Sequence, residues 1–151
     1  MSGTNGWDKY VNDIINRWSH KQEKYTVNNS CLHAAIIGLD GTQWAASADW
    51  PGLKTYDHDL DDGFGTIEKV NVDELKCAIG ASEGNRNPSA AGVRVAGIKF
   101  VLNKHEPAEG TSAASAYLIK MGGGGACICK TKQAIVIGIW GKDLPMSNGQ
   151  T

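Results

Sequence analysis

No stretch of this 151-residue sequence stays apolar for the roughly 20 residues that a helical membrane span requires, so none is expected. The opening residues are polar, and Asp8, Lys9 and Asp13 follow soon after. That is not the pattern of a secretory leader, and a soluble, cytoplasmic protein is expected. Only four cysteines occur, Cys31, Cys77, Cys127 and Cys129, and no two make a Cys-x-x-Cys pair. Neither a zinc signature nor a thioredoxin-type motif is therefore present. Cys127 and Cys129 lie two apart in a strand-like run and are expected on one face as small apolar fillers. His20, His33, His58 and His105 lack metal-ligand spacing. His33, in an apolar run, is expected to be a satisfied core histidine. No serine or cysteine sits in a nucleophile elbow, and no acid pair suggests proton transfer. The expectation is a protein that is not an enzyme and uses no cofactor. A net charge of -1 gives no general attraction to nucleic acid.

What is present fits one compact unit spanning residues 1–151, with no repeat and no linker. Hydrophobic residues make up 41%, enough for one core, and 19 glycines point to many turns. The charge is unevenly placed. Residues 1–75 hold six Lys/Arg against twelve Asp/Glu, and residues 76–151 hold nine against four. An acidic edge and a basic patch are expected in the fold.

Trp7, Tyr10, Val11, Ile14, Ile15 and Trp18 share one arc of a helical wheel, predicting an amphipathic helix over about residues 6–19. Residues 20–30 read as a polar loop. Cys31–Ile37 and Thr42–Ser47 are predicted strands joined by a hairpin turn at Asp40-Gly41. Lys54–Gly65 is acidic without apparent periodicity and reads as a surface loop. Val72–Ile79 reads as a short helix begun by Asn71 or its neighbour, with Asp73 and Glu74 in its first turn. Four strands are then predicted: Val93 through Gly97 to Leu102, Ala116–Met121, Ala126–Lys130 and Ala134–Trp140. The order indicates an α+β fold with a central antiparallel sheet flanked by helices.

Several groups of residues are candidates for function. Trp7 and Tyr10 fall three apart on one side of the first helix, and Trp44 lies on the second strand. Rigid aromatics near a surface can hold a proline-rich peptide, because prolines pack on ring faces and a polyproline helix loses little entropy on binding. The competing reading places them in the core, where aromatics at helical spacing usually go. The acidic stretch from Asp57 to Glu68 partly fits a calcium loop, with Asp57, Asp59, Asp61 and Glu68 as candidate ligands. Asp62 stands where the template needs glycine, so a solvated acidic loop is the main expectation. Gly122 to Gly125 lack the Gly-Lys-Ser/Thr ending and following helix of a phosphate loop, and read as a hairpin. Lys99, Lys104, Lys120, Lys130 and Lys132 on neighbouring strands form either a positive binding face or ordinary strand-edge protection.

Four ordered segments together resemble the profilin family. They are Trp7 to Val11; Ala34 to Gly38 with Asp40 to Ala45; Val95 to Phe100; and Gly124 to Gly138. The resemblance implies a profilin-like fold, with the terminal helices on one sheet face and shorter helices on the other. It implies an adaptor that binds an actin monomer and proline-rich proteins and regulates actin polymerisation at the cytoskeleton. Carried over, Trp7, Tyr10 and Trp44 match the polyproline aromatics. Lys99, Leu102, Lys104 and Lys120 match actin-facing positions, with Asn148 and Gly149 nearby. Anionic phosphoinositides at a membrane surface would fall to Lys120, Lys130 and Lys132.

The sequence departs from the family pattern in two ways. Residues 19–30 and roughly 54–70 look longer than usual. The family also ends with a long helix, and this sequence stops at Gln150-Thr151, where that helix would begin. Ile135 to Trp140 is apolar on both alternating faces, as in a strand covered on each side. The expectation is that the C-terminal helix is missing from the chain or that another element substitutes. The alternative function is a small-molecule-sensing domain of similar helix-plus-antiparallel-sheet plan, which would need an interior pocket.

Overall fold

The computed structural model describes residues 7–16, 18–19, 24–25, 32–110 and 113–141. The first helix, α1 (Asp8–Asn16), carries Asp8 in its first turn, where the helix dipole favours a negative charge. Lys9 and Asp13 make an i,i+4 ion pair at 2.8 Å on its outer side. The helix ends three residues earlier than the periodicity predicts. Trp18 belongs instead to a two-residue strand, β1 (Trp18–Ser19), paired with β2 (Lys24–Tyr25), so the expected loop over 20–30 also contains a strand.

β3 (His33–Gly38) and β4 (Gln43–Ala46) form the hairpin predicted at Asp40-Gly41. Asp40 accepts a hydrogen bond from Thr42 N, which shapes the turn and holds its carboxyl below the usual carboxylate range. The acidic loop expected over 54–65 is a hairpin, β5 (Thr55–Asp61) with β6 (Ile67–Asp73). Its alternation was present in the sequence but muted. Tyr56, His58 and Leu60 turn inward between exposed Asp57, Asp59 and Asp61. Helix α2 (Glu74–Ser82) begins one residue later than β6 ends, so Asn71 and Val72 are strand residues. Asp73 caps the helix by accepting from Leu75 N and Lys76 N.

The predicted continuous strand from Val93 to Leu102 is folded back on itself. β7 (Val93–Val95) pairs with β8 (Ile98–Glu106) through the two residues Ala96 and Gly97, at φ 54° and 79°. Positive φ at both central residues gives the turn a twist that matches the strands it joins. β9 (Ala114–Ile119), β10 (Gly125–Lys130) and β11 (Ala134–Trp140) complete one antiparallel sheet in the order β4-β3-β11-β10-β9-β8-β7. The fold is thus α+β, as expected, with α1 on one sheet face and α2 on the other.

On the α2 face, Ile37, Phe100, Leu102, Leu118, Ile128, Ile135, Ile137 and Ile139 pack with Ala78 and Ala81 of the helix. Small residues on α2 let its backbone approach closely. A second, smaller cluster joins Val11 of α1 to Ala34, Ile36, Ala45 and Ala134. These two layers bury both sides of β11, which explains its unbroken apolar run.

Candidate surface sites and family membership

Helix α1 brings Val11, Ile14 and Ile15 down onto β3 and β4. Trp7 and Tyr10 are left at the start of the helix, 43% and 54% exposed, so the core expectation for this pair does not hold. Trp44 reaches the same spot by a local irregularity. Ile36 pairs with Ala45 and Ile37 with Gln43, which leaves Trp44 as the extra residue of a bulge. In a regular strand Trp44 and Ala45 would point to opposite faces. The bulge re-aims the indole so that both join the α1 cluster. The Trp7 ring centroid lies 5.5 Å from that of Tyr10 and 5.1 Å from that of Trp44, at tilted angles of 42° and 37°. Such spacing is typical of favourable aromatic packing. Lys9 Nζ lies 6.0 Å from the Tyr10 ring.

One supporting residue escaped the sequence reading. A Cβ on Gly38 would fall 3.0 Å from Trp44 Nε1 and 2.8 Å from Asp40 Oδ1. Glycine at this position is therefore what lets the indole lie over the hairpin. A short-range signal existed in the Gly38-Leu39-Asp40-Gly41 turn, but nothing in it names Trp44 as the neighbour.

The lysine candidates separate. Lys99 and Lys120 are exposed at one end of the sheet, where β8 begins and β9 ends. Lys104 is exposed farther along β8, paired to Glu106 at 2.9 Å and 5.7 Å from the Tyr117 ring centroid. Lys130 and Lys132 lie at the opposite end of the sheet, since Lys130 pairs with Ala114 at the start of β9. Lys120, Lys130 and Lys132 are therefore not one patch, because the length of β9 separates them. Leu102 does not belong to any surface. It is 3% exposed in the α2-side core, and its carbonyl accepts from Arg86 Nη1 at 2.6 Å. Asn148 and Gly149 lie outside the described residues.

The calcium reading is also corrected. Asp57, Asp59 and Asp61 repeat along one exposed edge of a strand, with Glu68 on its partner β6, rather than converging on a point. Among the described residues no three His, Cys, Asp or Glu side chains are grouped to hold a metal ion. Asp61 and Asp62 instead accept backbone N–H groups of the β5–β6 turn, at Gly63, Phe64 and Thr66. These bonds hold the Asp62 carboxyl below its ordinary value.

His33 differs from expectation as well. Its Nδ1 is buried without a hydrogen-bond partner, and its ring meets Trp50 edge-on at 6.3 Å. Burial pushes its pKa down, while Asp49 pulls weakly upward. No described helix is long and apolar enough to cross a membrane.

With this geometry in place, comparison with known proteins is direct. The family profile of profilin matches residues 5–150. The profilin of Tetrahymena pyriformis is 30% identical over 148 residues, covering 95% of this chain and 83% of that one. The chain belongs to the profilin family. Solved structures agree at the level of the fold. Acanthamoeba castellanii profilin II superposes with a TM-score of 0.54 at 20% identity, covering 96% of this chain and 88% of that one. Profilin IA of the same organism gives 0.51 at 22% identity, covering 96% and 86%. Membership of the profilin family supports an actin-binding regulator and does not favour the small-molecule-sensing alternative.

Proposed function

We propose that this profilin is a non-catalytic adaptor of the cytoplasmic cytoskeleton, which holds an actin monomer and a proline-rich protein at the same time. The observation that carries the second half is the contact of exposed Trp7 with exposed Tyr10 and half-buried Trp44, with centroids 5.5 and 5.1 Å apart. Tilted rings on a fixed helix and strand offer faces on which successive prolines can pack. Because both elements are rigid, little freedom is lost on binding. The actin surface in this reading runs along the outer side of β8 and the end of β9, through Lys99, Lys104 and Lys120. Leu102 supports that surface from beneath. Anionic phosphoinositides would engage Lys130 and Lys132 at the rim of a groove of about 800 Å³, with Lys120 acting separately.

Intrinsic tryptophan fluorescence tests the aromatic half. Titration with an oligoproline peptide should shift the emission, and Trp44→Ala or Tyr10→Ala should weaken binding by about tenfold or more. No change up to millimolar peptide would rule out this half. For actin, the double charge reversal Lys99→Glu with Lys104→Glu should lower retention of monomeric actin in a pull-down. Full retention would place the actin surface elsewhere. Binding to phosphoinositide-containing vesicles should fall on Lys130→Glu with Lys132→Glu, and an unaffected double variant would remove that partner from the proposal.

A further inference from the structure

β10 presents two thiols to the same sheet face, the one on which α1 sits. Cys127 stands opposite Tyr117 of β9 and Gly138 of β11, and Cys129 opposite Ser115 and Val136. Both cysteines are half-buried, unlike Cys77, which is fully enclosed. Gly138, opposite Cys127, adds no side chain beside the pair. Ser115 Oγ and Cys129 Sγ are in hydrogen-bond contact at 3.4 Å. We infer that Cys127 and Cys129 form a reversible thiol-modification site, at which Cys129 attacks a low-molecular-weight disulfide such as oxidised glutathione.

The chemistry is thiol–disulfide exchange. Cys129 thiolate attacks one sulfur of the small disulfide, a protein mixed disulfide forms, and the other half leaves as a thiolate that takes a proton from water. Cys127 and Ser115 donate hydrogen bonds to Cys129 and favour its ionised form. Burial opposes them, and so does Glu106, whose charge is countered by Lys104 at 2.9 Å. Hydrogen bonding to Cys127 is the largest influence, and the thiol is held down to about 6. The other described groups facing it, Tyr117, Val136 and Gly138, carry no charge at neutral pH. Lys130 alternates to the opposite face.

The mixed disulfide should persist rather than pass to a Cys127–Cys129 bridge. Two residues along a strand are separated by about 6.4–6.8 Å, and their Cβ atoms keep nearly that spacing although the sulfurs can lean together. A disulfide needs its Cβ atoms about 3.5–4.5 Å apart. β10 is hydrogen-bonded along its length to both β9 and β11, so it cannot buckle to close that gap.

The test is to incubate the whole chain with oxidised glutathione across a pH series and map the label by peptide mass. Circular dichroism of the product establishes that it stays folded. Labelling at Cys129 should exceed that at Cys77 by about tenfold or more, and a reducing thiol should reverse it. The rate at Cys129 should level off near pH 7, whereas an ordinary thiol keeps gaining up to about pH 8.5. Cys127→Ala should move that midpoint upward, and Cys129→Ser should abolish labelling at this position while leaving the fold intact. Equal rates at Cys129 and Cys77, or a Cys129 profile unaltered by Cys127→Ala, would overturn the inference.

Discussion

Glu74 is the perturbation that tests the architecture most directly. Its side chain is 1% exposed. It accepts from Lys54 N at 2.8 Å, from Tyr56 Oη at 3.2 Å and from Gly97 N at 2.8 Å. One carboxylate thus ties together the entry to β5, the first turn of α2 and the β7–β8 turn. The contact with Tyr56 also raises the phenol's pKa, after burial, which is the larger cause. Glu74→Ala leaves two backbone N–H groups and a hydroxyl facing a dry space. Each buried donor without an acceptor costs about 1–3 kcal/mol. Allowing for Tyr56 to rotate away, the expected loss is about 3–5 kcal/mol, a large part of the roughly 5–15 kcal/mol that holds a domain together. Glu74→Gln keeps the shape but turns an amide N–H₂ toward one donor, so about 1–3 kcal/mol is expected. Tyr56→Phe removes one bond and should cost about 0.5–1.5 kcal/mol. Urea denaturation followed by both tryptophan fluorescence and circular dichroism gives these values, with the slope showing whether the transition stays two-state. A Glu74→Ala loss under about 1 kcal/mol would refute the claim that this carboxylate staples the three elements.

Other consequences can be checked alongside. Burial lowers His33 from its ordinary 6.5, so the unfolded chain takes up a proton that the folded chain refuses. Stability should therefore fall as pH drops from 6.5 toward the depressed folded value, and His33→Gln should flatten that slope in urea titrations. An unchanged slope would assign it to another group. Gly38→Ala should drive a methyl against Trp44 and Asp40, cost about 1–2 kcal/mol, and weaken oligoproline binding through a displaced indole. Normal affinity and stability would show that the indole is not held there. Leu102→Ala should cost about 2–5 kcal/mol in thermal or urea unfolding, as a core truncation does. Loss of actin retention without loss of stability would restore Leu102 to the surface.

The sequence by itself determined those features that depend on neighbours a few residues away. The amphipathic arc of α1, the Asp40-Gly41 turn, the existence of α2 (though not its cap, which is Asp73 and not Asn71 or its neighbour) and the strands from Ala114 to Trp140 are local preferences, and they were legible. So was the family, because its segments recur in order. Local rules also explain some failures. The β5–β6 hairpin was missed because its inward residues, Tyr56, His58 and Leu60, are weakly apolar, so the aspartates between them looked like a charge run. The break at Ala96-Gly97 was missed because alanine seldom adopts positive φ. Only the tertiary structure decided which face each side chain meets. Helical spacing puts Trp7 beside Tyr10 but is the same for a buried and an exposed pair. A bulge of one residue turned Trp44 toward them, and strand register sent Leu102 inward and parted Lys120 from Lys130. Burial and register are set by contacts between residues far apart in the chain, where a shift of one position exchanges the two sides of a strand.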